Sequence, residues 1–280
     1  MMPLRSIIIS VFIGVIGLGA ISYAAAPSPF SGSFIERTTG PRPTSMGNAY
    51  RALSDDTYGI YLNPAGLAQV KDTQFKFMSY DTFETSYHSM EFVLGLGFQT
   101  WGFGIIGATV PEIPHTTFDT GTGRVVDTGD TSSYEANAVY LSNGFYFLPD
   151  LRLGFALKFI NLTLFDKTGG GFGMDMGLQY DPFDFLTLGF TVENMVQPTI
   201  RWNTASSAED VLPKIYTFGQ ALKLLDKRLI ISTDIRYEDN NISSQSLDTI
   251  TDSEGIESLV DSDVLVVGAG IEYRLIDSLA

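Results

Sequence analysis

The sequence predicts an all-β chain: a transmembrane antiparallel β-barrel with a short, partly helical segment inside it. Three observations carry this. Apolar residues recur with period two along most of the chain after Pro27. No later window reaches an uncharged run of transmembrane-helix length. Short turns alternate with longer polar loops, the form of a barrel with turns on the periplasmic side and loops outside the cell, whereas a soluble sandwich has no reason to sort its connections so.

Composition narrows the function. The 280 residues hold 32 acidic and 17 basic side chains, a formal charge of −15, so the basic footprint that nucleic acid requires is missing. With no cysteine, disulfide scaffolds, thiolate metal sites, cysteine nucleophiles and lipid attachment through cysteine are excluded. Charged residues make up only 18% while mean hydropathy is positive, at +0.12. That composition argues against disorder.

Residues 1–26 read as a cleaved signal peptide. Arg5 gives a positive n-region, Ile7 to Ile21 is an apolar run shorter than the ~20 residues of a span, and Ser22-Tyr23-Ala24-Ala25-Ala26 offers small residues for cleavage. Residues 27–72 do not alternate and are expected to form a plug. There Thr44-Ser45 is expected to cap a helix carrying Met46, Ala49, Tyr50 and Leu53 on one face. Asp55-Asp56 ends it, and a second turn begins with Asn63 as N-cap and Pro64 at its first position.

Residues 73–280 read as barrel strands, about ten of them, starting near Thr73, Tyr87, Trp101, Tyr134, Leu151, Phe172, Phe185, Lys214, Arg228 and Asp263. Tight turns are expected at Gln99-Thr100, Leu148-Pro149-Asp150, Asp181 to Asp184, Leu225-Asp226-Lys227 and Ile276-Asp277-Ser278. Longer loops are expected at Asp81 to Thr85, Pro111 to Ser133, Phe165 to Gly171, Gln197 to Asp210 and Asp239 to Asp261. Alternation sends Leu153, Phe155, Leu157, Leu188 and Phe190 to lipid. It sends Arg152, Lys158, Asp175, Glu193, Asp234, Arg236, Glu272 and Arg274 to the lumen, where charges of both signs can pair or stay hydrated. Phe98, Trp101, Phe147 and Tyr180, near strand ends, suit interfacial girdles. A closed barrel must pair its last strand with its first, so the chain is expected to lack the C-terminal strands.

Other motifs have plainer explanations. Gly102-Phe103-Gly104-Ile105-Ile106-Gly107 matches a dinucleotide pattern but sits in an alternating strand with no helix after it, where glycine keeps the lumen side small. Gly169-Gly170-Gly171 reads as a hairpin loop, and His88 and His115 have no partner at ligand spacing. The acidic run from Asp248 to Asp263 reads as a solvated loop. No catalytic residue, cofactor or metal ligand is assigned, and no enzyme is expected.

The stretch Ser45-Met46-Gly47-Asn48-Ala49-Tyr50-Arg51-Ala52-Leu53-Ser54-Asp55-Asp56, followed by Tyr61-Leu62-Asn63-Pro64-Ala65-Gly66-Leu67-Ala68, resembles the N-terminal hatch of the FadL/PorV superfamily of outer-membrane proteins. Leu188 to Asn194, Leu212-Pro213-Lys214 with Gly219, and Gly270 to Leu275 add weaker matches. The resemblance implies about fourteen strands and a lumenal hatch in which Asn63, Pro64, Ala65 and Gly66 form the gating motif. It also implies one of two roles. FadL-like members pass hydrophobic small molecules, such as long-chain fatty acids, sideways through a wall opening. PorV-like members bind exported proteins in a secretion system; a surface or structural role is the remaining alternative. The expected partners are therefore outer-membrane lipid, hydrophobic small molecules, exported proteins as the rival, and the barrel-assembly machinery. The expected location is the outer membrane of a diderm bacterium.

Overall fold

A computed structural model of the chain describes residues 34–35, 40–82, 84–204, 208–239 and 263–275. The expected signal peptide, the acidic stretch at 240–262 and the expected turn at 276–278 lie outside the described residues.

The strands form one antiparallel sheet. Those on its main path are β1 (Gln74–Thr82), β2 (Thr85–Gly95), β3 (Gln99–Asp119), β4 (Arg124–Leu148), β5 (Leu151–Leu164), β6 (Lys167–Phe183) and β7 (Leu186–Val196). Two short strands follow, β8 (Thr199–Trp202) and β9 (Glu209–Val211), and then β10 (Lys214–Leu224), β11 (Leu229–Asp239) and β12 (Val264–Tyr273). The path runs β1 to β7, then β10, β11 and β12, with β8 and β9 beside it. Among the described residues, β1 and β12 are each paired on one side only.

Period two holds along the path because each strand separates two environments. Phe155, Phe190, Phe103 and Phe218 are exposed outward, while Ala156, Thr191, Gly104 and Thr217 beside them are buried inward. At the short-turn end, Phe98, Trp101, Phe147, Tyr180, Phe183 and Tyr273 are all exposed and ring the outer surface.

Several connections differ from the sequence expectation. Pro111 to Ser133 is not a loop: β3 and β4 run on together through β-bulges to Asp119 and Arg124. Its Thr- and Val-rich sequence favours strand, and Asp119 accepts from the Gly123 N–H at 2.8 Å to close the tip. Phe165 to Gly171 is mostly β6, and Asp81 to Thr85 is a short turn. Gln197 to Asp210 holds the β8–β9 ladder. Gln99 and Thr100 already belong to β3, so the turn before them is Leu96 to Phe98.

Residues 40–72 lie inside the sheet. They contain α1 (Pro41–Ser45), α2 (Gly59–Leu62) and a 3-10 turn (Pro64–Gln69). Thr44 and Ser45 end a helix rather than cap one, because Gly47 and Asn48 adopt left-handed backbone with φ of 60° and 59°. Met46, Ala49, Tyr50 and Leu53 are nonetheless buried together, on a coiled path rather than a helical face.

Candidate functional site

The inner segment and the wall beneath it form the candidate site. Asn63 is completely buried at the start of the 3-10 turn. Its Oδ1 accepts from the Ala65 N–H at 3.1 Å, and its Nδ2 donates to Arg51 O at 2.7 Å and to Leu178 O of β6 at 3.2 Å. One side chain thus caps the turn and ties it to both the wall and the rest of the segment. Pro64, Ala65 and Gly66 are buried directly after it.

Glycine makes this seat possible. Gly95, Thr100, Gly144, Gly154 and Gly177 are successive cross-strand partners on β2 to β6. A second row, offset by two residues because Gly189 pairs with Gln179 rather than Gly177, runs through Gly189, Gly219, Asp234 and Gly268 on β7, β10, β11 and β12. A Cβ on Gly154 would overlap the Pro64–Ala65 backbone, on Gly177 the Asn63 side chain, on Gly189 the Arg51 backbone, and on Gly268 the backbone of Gly47. The wall is stripped of side chains where the inner segment lies against it.

Polar side chains complete the attachment. Gln179, fully buried, donates to Arg51 O at 2.9 Å and Leu53 O at 3.1 Å. Its carbonyl oxygen accepts from Gln69 at 2.9 Å and from Arg152 Nε at 3.2 Å. Asp234 Oδ2 accepts the backbone N–H of Tyr50 at 2.9 Å and of Arg51 at 3.0 Å. Arg51 also reaches Glu193 at 2.7 Å. Arg51, Asp234 and Glu193 border a partly open cavity of about 110 Å³ between the segment and β7, β10, β11 and β12.

The other charged residues singled out from sequence fall as follows. Lys158 and Asp175 are both buried and pair at 2.7 Å. Arg152 is buried and forks onto Asp181 at 2.6 and 2.9 Å. Arg236 is partly buried beside Glu238, at 2.9 Å. Glu272 meets Arg42 at 2.8 Å. Arg274 lies just past the end of β12 and is exposed, with its Nε 3.2 Å from Glu272 on the side that faces the inner segment.

A cluster not visible in the sequence surrounds Arg42 on α1. Its guanidinium contacts Asp55 at 2.5 Å, the Tyr50 hydroxyl at 2.6 Å and Glu272 at 2.8 Å. Burial alone would raise the Asp55 carboxyl, but the charge and hydrogen bond of Arg42 hold it below its ordinary value. Burial and the nearby carboxylate of Asp56 push the Tyr50 phenol well up, so it stays a neutral donor to Asp56 at 2.9 Å.

Above the inner segment the interior is filled from the wall. Ile106, Ala108, Ala136, Ala138, Ile160 and Leu162 are buried there and belong to one continuous apolar core with the segment below. The wall ladder is broken between β6 and β7. Met174 pairs with Val196 and Met176 with Val192, leaving Glu193, Asn194 and Met195 opposite Asp175 alone. Asn194 takes a left-handed φ of 58°, its N–H donating to Asp175 at 2.6 Å. Beyond Met174 and Val196 the next pair is Gly170 with Arg201, past Pro198, which has no N–H to offer. On the outer face of β4 to β6, reaching Met195 at the break, lies a groove of about 360 Å³ lined by Phe145, Leu153, Phe155, Met174, Met176 and Met195. Among the described residues no group of histidine, aspartate or glutamate could hold a metal ion.

No protein-family model and no curated protein matches the chain in sequence. Solved structures do match in fold. The CymD monoaromatic hydrocarbon channel superposes with a TM-score of 0.55 at 12% identity, over 84% of this chain and 79% of that one. The toluene transporter TodX of Pseudomonas putida gives 0.50 at 14% identity, over 71% and 69%. The likeness is one of fold: the chain has the antiparallel β-barrel architecture of these structures.

Proposed function

We propose that the chain is an outer-membrane channel for passive passage of hydrophobic small molecules, with residues 27–72 as its hatch and residues 1–26 as a cleaved export signal. The observation that carries this reading is the interrupted β6–β7 ladder between the apolar core of the wall and a Met- and Phe-lined groove on the outer face, with the buried Lys158–Asp175 pair and Asn194 at the interruption itself. A polar solute gains nothing from such a path; an apolar one stays out of water along it. The likeness in fold to channels for monoaromatic hydrocarbons supports the same reading.

Passage then takes three steps: capture at the outer end, entry to the apolar interior when the hatch shifts, and sideways release at the β6–β7 break. Uptake of radiolabelled toluene and of a long-chain fatty acid, by cells with and without the protein, tests the reading and ranks the two ligand classes. No gain with either overturns it. Substituting Met195 with Glu at the groove should reduce uptake in a normally folded barrel.

One observation favours the secretion-type alternative. The β3–β4 hairpin projects past the last partner of β2, Thr109, and exposes Phe118, Val125 and Val126 near its tip. Exported protein that co-purifies with the full chain, and is lost when residues 112–132 are replaced by a short turn, would favour that role.

A further inference from the structure

We propose that the cavity bordered by Arg51, Asp234 and Glu193 binds a small neutral aromatic molecule carrying one hydroxyl group, a phenol in preference to a plain hydrocarbon. Three buried polar atoms point to it. Arg51, Thr217 and Asp234 line the cavity, and among the described residues Arg51 Nε, Thr217 Oγ1 and Asp234 Oδ1 have no hydrogen-bond partner. Side-chain exposure is only 6% for Arg51 and 4% for Asp234, and Thr217 is wholly buried, so bulk water does not serve these atoms. Buried polar atoms left over in this way call for an occupant that pairs them.

Their side chains are held by other bonds. The Arg51 guanidinium is fixed by Glu193 at 2.7 Å and by Asn48 O at 3.2 Å, while Asp234 Oδ2 takes the N–H groups of Tyr50 and Arg51. Thr217 lies on β10 and Asp234 on β11, and both strands are paired on each side. The set offers one donor, one acceptor and one hydroxyl that serves as either.

Charge and shape then select the class. Arg51 and Arg236 on the lining are matched by Glu193 and Asp234, so the balance of sign does not favour an ion. The rest of the lining includes Ile35, Leu62 and Tyr61, whose own hydroxyl is turned to Glu91 at 3.3 Å. Water suits the polar atoms but gains nothing from the apolar ones. The volume of about 110 Å³ far exceeds the ~10–15 Å³ that one water needs and approaches the roughly 150 Å³ of a cavity that holds benzene. A phenol meets both demands, since its hydroxyl donates and accepts while its ring covers the apolar residues.

This rests on the channel reading and narrows its ligand, and the test separates the two. Binding of p-cresol, which is toluene with one added hydroxyl, is compared with binding of toluene by calorimetry on the full chain in lipid nanodiscs, with empty nanodiscs subtracted. Wild type should bind p-cresol about tenfold more tightly than toluene. Thr217→Val should remove most of that preference by weakening p-cresol alone, and Thr217→Ser, which keeps the hydroxyl, should restore it. If Thr217→Val does not fold, the wild-type ratio decides by itself. Equal affinities, binding of neither compound, or equal weakening of both by Thr217→Val overturns the site. Toluene uptake by cells without any preference for p-cresol keeps the channel and overturns the site; selective p-cresol binding without uptake of either compound keeps the site and counts against the channel.

Discussion

The turn end and the loop end of the barrel interior are filled in opposite ways. At the turn end the wall contributes glycine and the hatch contributes bulk, so Pro64 and Asn63 rest on Gly154 and Gly177. At the loop end the wall supplies its own bulk through Ile106, Ile160 and Leu162. The same period-two pattern serves both, which teaches that alternation fixes the face of a residue and leaves open what lies across the lumen from it.

The largest expected effect tests how far the loop-end interior depends on the buried Lys158–Asp175 pair. Lys158→Leu alone should destabilise the barrel by about 3–5 kcal/mol, because Asp175 is left buried and uncompensated. Lys158→Leu with Asp175→Leu should recover only part of that loss, because the buried Asn194 N–H then has no acceptor. Urea unfolding in lipid vesicles measures both; a double variant no better than the single would mean that the region is not apolar in its demands.

Next in size is the outward neighbour. Leu157→Arg, close to mid-membrane, should cost about 2–4 kcal/mol through contact with lipid. Unlike Lys158→Leu, this loss should not be rescued at Asp175, and rescue there would reverse the inside and outside assignments.

A smaller pair of changes contrasts the two fillings directly. Gly154→Val should cost about 1–3 kcal/mol by overpacking against Pro64, while Ile160→Val in the other half should cost about 0.5–1.5 kcal/mol by leaving space. Deleting the hatch should abolish the first penalty and leave the second. A Gly154→Val penalty that survives hatch deletion would remove the basis for the comparison.

The smallest effect expected is Asn63→Ala, about 1 kcal/mol for the lost cap. In a folded barrel it should alter hydrophobic uptake or conductance. Unchanged transport would leave the hatch a passive plug and strengthen the secretion-type reading.

The fold was legible in the sequence because period two is a local signal. Leu153, Phe155 and Phe190 declare their face by their neighbours alone, as do Gly102 and Gly104. The seat was not legible in the same way. Asn63-Pro64 reads as a turn start, but nothing near it in sequence names Gly154, Gly177 or Gln179 as its support, since these meet it only through sheet register. Arg42 and Glu272 stand 230 positions apart, and their pairing depends on the barrel's curvature. The β3–β4 extension was misread for a different reason: its Thr, Ser and Asp residues look like a loop by polarity, yet both faces of a hairpin that projects past its neighbouring strands are free to be polar.

The glycine row has one more consequence, for ancestry and engineering. A wall shaped by backbone and a hatch shaped to rest on that backbone constitute a matched die and casting. Side chains added to either side must be removed from the other, so drift at Gly144, Gly154 or Gly177 should track drift at Pro64 to Ala68. A hatch grafted onto a related barrel should fit only when that barrel's row of small residues travels with it.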